Sequence, residues 1–149
     1  MKSDLKAAIE NDLKELNSLY KEWFEIYHKI SAKLGLSDSE FLIIYALVEL
    51  NLNRQKDIAD YYCVSKQTIN SAVKKLVKTG IIELKQAKGR DMQIIFTQAG
   101  KDFAQEKIIP IVNVEKNALI AMGQKESQEL LRLTRKHLDI FKKQISQSI

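Results

Sequence analysis

Cysteine occurs once in this 149-residue chain, at Cys63, so no internal disulfide can close. Proline also occurs once and glycine five times, which leaves little material for long loops or disorder. No apolar run approaches the roughly 20 residues that span a bilayer. The start, Met1-Lys2-Ser3-Asp4-Leu5-Lys6, is charged and has no apolar signal core. With two histidines, His28 and His137, and no His-x-x-x-His or Cys-x-x-Cys pair, nothing seeds a metal site. A Gly-rich phosphate loop and a recognisable nucleophile–base pair are missing too, so neither an enzyme nor a cofactor is expected. These absences predict a cytoplasmic, non-membrane protein of one domain, or two small lobes sharing a core.

What the chain has is segregated charge. The formal net charge is +5. From Arg54 to Gly100 there are nine basic and four acidic residues, while the remainder is balanced at fifteen of each. The whole excess lies in one third of the sequence, which points to a footprint for a polyanion.

At the centre of that third lies an amphipathic segment. Ser65 is a good N-cap, and Gly80 stands where a left-handed C-cap belongs. Ile69, Val73 and Leu76 recur at helical spacing and form an apolar stripe. The opposite face carries Lys66, Gln67, Asn70, Ser71, Lys74 and Lys78, with no acidic residue from Val64 to Ile82. Those side chains can donate to phosphates or hydrogen-bond to base edges in a major groove. Cys63, at the turn before this helix, reads as a small buried apolar side chain.

Around it the periodicity predicts a mainly α fold with a small β-hairpin. Ile9, Leu13, Leu16, Tyr20, Trp23, Tyr27, Ile30 and Leu34 make a heptad-like seam within one helix over residues 5–34. Such a helix is roughly 45 Å long and needs more cover than so small a globule offers, so a partner helix is expected. Ser37-Asp38-Ser39-Glu40 is a capping box that opens a second helix, with Phe41, Ile44, Leu47 and Val48 inward and its end near Asn51. Asn53 is expected to cap a short third helix. After Gly80 the period changes to two: Ile82 and Leu84, then Met92, Ile94 and Phe96, flank the basic turn Ala87-Lys88-Gly89-Arg90-Asp91. Thr97 caps a helix that Pro110 should kink or split and Gly123 should end. Leu131, Thr134, Leu138, Phe141 and Ile145 form a second seam in the last helix. Trp23, Tyr27 and Tyr45 read as core aromatics, with a ligand pocket as the alternative.

Helix-turn-helix, wing and long helix, in this order, resemble the MarR family of winged helix-turn-helix transcriptional regulators. The likeness rests on Ser65-Lys66-Gln67-Thr68, on Leu76 to Gly80 with Ile81-Ile82 after it, and on the wing. The family's wing carries Asp-x-Arg and, some residues later, a Thr-x-x-Gly helix start. Here Arg90 takes the arginine position and Thr97-Gln98-Ala99-Gly100 the helix start, while Lys88 replaces the aspartate and makes the tip more basic. The resemblance implies long N- and C-terminal dimerisation helices, with residues 1–36 and 98–149 as the dimerisation lobe and 37–97 as the DNA-binding lobe. It further implies a homodimer on a pseudo-palindromic operator of double-stranded DNA, its recognition helices entering major grooves about 34 Å apart. Gln67, Thr68, Asn70 and Ser71 would read bases, Ser65, Lys66, Lys74 and Lys88 would meet phosphates, and Arg90 would enter a minor groove. The expected function is a sequence-specific repressor released by a small apolar or anionic effector. The alternative is a DNA-binding regulator or architectural protein with no effector.

Overall fold

The computed structural model describes residues 2–89 and 92–148. The described residues form seven α-helices and one two-stranded antiparallel sheet, in two compact units, Met1–Ile108 and Ile109–Ile149. No described helix is long and apolar enough to cross a membrane.

In the first unit, α1 (Lys2–Lys33) ends at Gly35, whose φ of 71° suits the left-handed turn. Leu36 N donates back to Ser31 O at 3.0 Å and closes that turn. The capping box is formed in full: Glu40 N donates to Ser37 Oγ at 3.3 Å and Ser37 N donates to Glu40 Oε2 at 2.8 Å. It opens α2 (Asp38–Tyr45), which continues as one π-helical turn, Ala46–Leu50. His28 Nδ1 lies 2.9 Å from Asp38 Oδ2 and ties the end of α1 to the start of α2.

The π turn changes which residues face inward. Regular α periodicity put Ile44, Leu47 and Val48 in the core; Ile44 is completely buried as expected, and so are Ile43 and Ala46, but Leu47 and Val48 are only half-buried. The wider turn rotates the following side chains relative to a 3.6-residue period. Phe41 is inward as expected and meets Tyr27 and Tyr45 at ring-centroid distances of 6.2 and 5.8 Å. Trp23 does not join this cluster; it is 63% exposed.

α3 (Gln55–Tyr62) begins one residue later than Asn53 allows, at an Arg54 N-cap. Asn53 is held by the wing: its carbonyl accepts from Ile94 N at 2.7 Å. α4 (Lys66–Lys78) packs its Ile69, Ala72, Val73 and Leu76 stripe against α2 and α3. Its end is a tight left-handed turn, with Gly80 at φ 75° and Ile81 N donating to Leu76 O at 3.0 Å.

β1 (Ile82–Gln86) and β2 (Met92–Phe96) pair with Ile82 opposite Phe96 and Gln86 opposite Met92. Ile82 and Ile94 are buried, while Leu84, opposite Ile94, and Met92 at the far end are exposed. α5 (Gln98–Phe103) runs into a second π turn, Ala104–Ile108. The long helix expected to kink or split at Pro110 instead continues through it, with the π turn lying just ahead of the proline. The proline ring crowds the carbonyl four residues back and offers it no N–H, and a wider turn relieves both.

In the second unit α6 (Ile109–Met122) and α7 (Gln124–Ser148) form an α-hairpin through Gly123 at φ 82°. None of the described residues of α7 is buried. On its surface the Arg132 guanidinium, hydrogen-bonded to Glu129 at 2.7 and 2.6 Å, holds that carboxyl below its ordinary value.

Candidate nucleic-acid interface

α4 is aimed by its two ends. Thr68 N donates to Ser65 Oγ at 3.1 Å, and the two hydroxyls, Ser65 Oγ and Thr68 Oγ1, lie 2.7 Å apart. This cap fixes where the helix starts and satisfies an otherwise free backbone donor. At the other end the Gly80 turn brings the chain straight into the wing. Between them the apolar stripe locks the helix rotation, so the opposite face must point outward.

Lys66, Gln67, Asn70, Ser71 and Lys74 are all exposed on that outward face, with Lys78 beyond them. No carboxylate lies on α4 to compete for these donors. Ser65 and Thr68 are exposed too, but their hydroxyls are engaged with each other, so Thr68 has less freedom to address a base than Gln67, Asn70 or Ser71. Lys88 is exposed at the wing tip, where Gln86 Nε2 donates to Gly89 O at 3.0 Å and braces the turn. Arg90 lies outside the described residues. The structure thus brings Ser65 to Lys74 onto one face of one helix and puts Lys88 on a separate projection of the same unit.

Three candidate residues escaped the sequence reading. Val77 is 40% exposed and continues the row of Lys66, Asn70 and Lys74 along the outer face. An apolar side chain there is suited to a thymine methyl. On the flank of α4 a shallow depression is lined by Ser37, Ser39, Thr68, Ser71 and Lys75. Lys75 was legible in principle, since it follows Ser71 by four residues and Thr68 by seven. Ser39 was not, because only the packing of α2 on α4 places it there.

Cys63 differs from expectation. It is exposed, not buried, and takes φ 52°, the left-handed conformation that closes α3. Val64 N donates to Ala59 O at 3.0 Å across this turn, which turns the Cys63 side chain away from the core. Among the described residues no group of three or more His, Cys, Asp or Glu is placed to hold a metal ion.

A family model described as sugar-specific transcriptional regulator TrmB matches residues 30–98. No curated protein matches the sequence. Among solved structures, NMB1585, a MarR family regulator from Neisseria meningitidis, matches with a TM-score of 0.76 at 21% identity, covering 93% of this chain and 99% of that chain. Staphylococcus aureus MarR in complex with salicylate and kanamycin matches at a TM-score of 0.68 and 14% identity, over 90% of this chain and 92% of that chain. Reduced AbfR bound to DNA matches at 0.64 and 15% identity, over 95% of this chain and 99% of that chain. The chain has the winged helix-turn-helix fold of the MarR family regulators.

Proposed function

We propose that the protein is a homodimeric, sequence-specific DNA-binding transcriptional regulator, a repressor released by a small-molecule effector. The observation that carries this reading is the α4 surface: an end-capped helix whose outward row is Lys66, Gln67, Asn70, Ser71 and Lys74, free of acid. Gln67 and Asn70 can pair bidentately with adenine, Ser71 with several edges, and the lysines with the flanking phosphates. Lys85 and Lys88 carry positive charge on the wing, and Arg90 adds a third basic residue to its sequence. AbfR of the same fold is bound to DNA, which supports assigning this surface to a duplex.

The dimer is supported by apolar surface left uncovered in one chain. Leu5, Ile9, Leu13, Trp23 and Phe24 on α1 are each more than half exposed, and so are Leu131 and Phe141 on α7. Patches of that extent on a small protein mark an interaction surface. Effector release rests on the S. aureus MarR of like fold, which holds salicylate and kanamycin. The TrmB match covers residues 30–98, the end of α1 through the wing, so it supports the DNA-binding part.

The test is selection of bound duplexes from a random pool, with each winner titrated against salt. An inverted repeat with half-sites about one helical turn apart is expected, together with release by aromatic acids. Asn70→Ala combined with Arg90→Ala should abolish specific binding and leave folding intact. The reading fails if no duplex binds more tightly than random DNA at low salt.

A further inference from the structure

The wing is a single hairpin, and a lone two-stranded ribbon does not hold its own orientation in water. Something at its root must set its angle to α4. Ile82 and Ile94 bury their side chains there, and Ile94 N donates to Asn53 O at 2.7 Å. β1 also packs against α4. One further residue ties the exit of the wing to the exit of α4.

Thr97 follows the last wing residue and caps α5. Its hydroxyl donates to Gly80 O at 2.5 Å, with Ile81 O as a second acceptor at 3.2 Å. The same oxygen accepts from Gly100 N at 3.0 Å. Its backbone N–H donates to Ile81 O at 3.2 Å, extending the strand ladder by one step. A hydroxyl has one proton to give and two lone pairs to receive, and here it does both. Gly80–Ile81 is the exit of the recognition helix, Thr97 the exit of the wing, and Gly100 the first turn of α5. The joint is also tight: a Cβ built on Gly100 would come within 1.8 Å of Ile81 O.

We propose that Thr97 is the positioning residue that fixes the wing to the recognition helix, so that the two meet DNA as one rigid reader. This rests on the DNA-binding reading, but the joint itself can be tested without DNA. Thr97→Val keeps the branched shape and removes the hydroxyl; Thr97→Ser keeps the hydroxyl. By amide hydrogen exchange on the free protein, Thr97→Val should exchange Glu83 to Lys85 and Gln93 to Ile95 about tenfold faster, the factor that about 1.4 kcal/mol produces. Amides of α2 and of the middle of α4 should keep their wild-type rates, and Thr97→Ser should restore the wing. Unchanged wing rates, or equal acceleration throughout the first unit, would overturn the proposal.

The second arm is a cycle on a selected duplex. Lys85→Ala with Lys88→Ala should weaken binding severalfold in the wild-type background and hardly at all beside Thr97→Val, because a wing without a set angle has little left to lose. Equal losses in both backgrounds make Thr97 merely structural and defeat the inference. If the wild-type protein selects no duplex, the DNA-binding reading fails, and the exchange rates still decide whether Thr97 is the joint.

Discussion

Gly100 and Cys63 place opposite demands on the backbone. At Gly100 the absence of a side chain is required, since Ile81 O occupies the place of a Cβ. Gly100→Ala should therefore cost about 1–3 kcal/mol, as overpacking does, and lower the melting temperature by several degrees. A melting temperature within a degree of wild type would show that the joint has slack. At Cys63 a side chain is present where glycine is favoured, at φ 52°. The left-handed conformation costs a non-glycine residue roughly 1–2 kcal/mol, and glycine's extra freedom when unfolded offsets part of that. Cys63→Gly should leave stability unchanged or raise it by up to about 1 kcal/mol, measured by urea unfolding. Loss of more than that would mean the exposed thiol makes a contact that matters. The sequence read Cys63 as buried because the residue type usually is. A closing left-handed turn is a property of the α3–α4 geometry and leaves no mark in composition.

At the scale of elements, what was legible followed from local rules. The capping box at Ser37, the Ser65 cap, the Gly80 stop and the Thr97 cap are each written in adjacent residues, and each is formed. The wing strands were legible from a period of two. The π turns at Ala46–Leu50 and Ala104–Ile108 were not, because a one-residue phase shift is chosen by tertiary packing and looks like ordinary helix in the sequence. The same limit applies to the interface. The α4 row follows from helical spacing, whereas Ser39 reaches that flank only through the packing of α2. The row has a distinct energetic signature. Lys74→Ala should weaken binding about equally to every sequence and reduce the dependence of log affinity on log salt by about 0.9. Asn70→Ala should instead cost about 1–3 kcal/mol on the selected site alone. A variant of Asn70 that loses as much affinity for random DNA would move it from the base-reading to the phosphate-contacting set.

For the whole molecule, the uncovered faces of α1 and α7 are where the proposed homodimer is tested. Trp23 lies on the α1 seam at 63% exposure, so Trp23→Glu adds charge without disturbing the core of its own chain. In the proposed homodimer it should shift the protein to monomer at micromolar concentration by sedimentation, with operator affinity falling in parallel. Thermal stability of the wild type should rise with protein concentration, as linkage to association requires. A mass that is monomeric before and after the substitution would remove the dimer from the proposal.

The acid-free start of α4 has one more consequence. Aligned peptide dipoles leave a helix N-terminus partly positive, and most helices meet that with Asp or Glu in the first turn. Here the first turn holds Lys66, Gln67 and Thr68, so the unbound recognition helix is electrostatically unfinished. In the proposed complex a phosphate would supply the missing counter-charge, and some of the helix's own folding free energy would thereby be deferred to binding. Gln67→Glu separates the two: it should stabilise the free protein by about 0.3–1 kcal/mol and at the same time repel the duplex. At this one position, a sequence selected for its resting state and a sequence selected for its task would carry different residues.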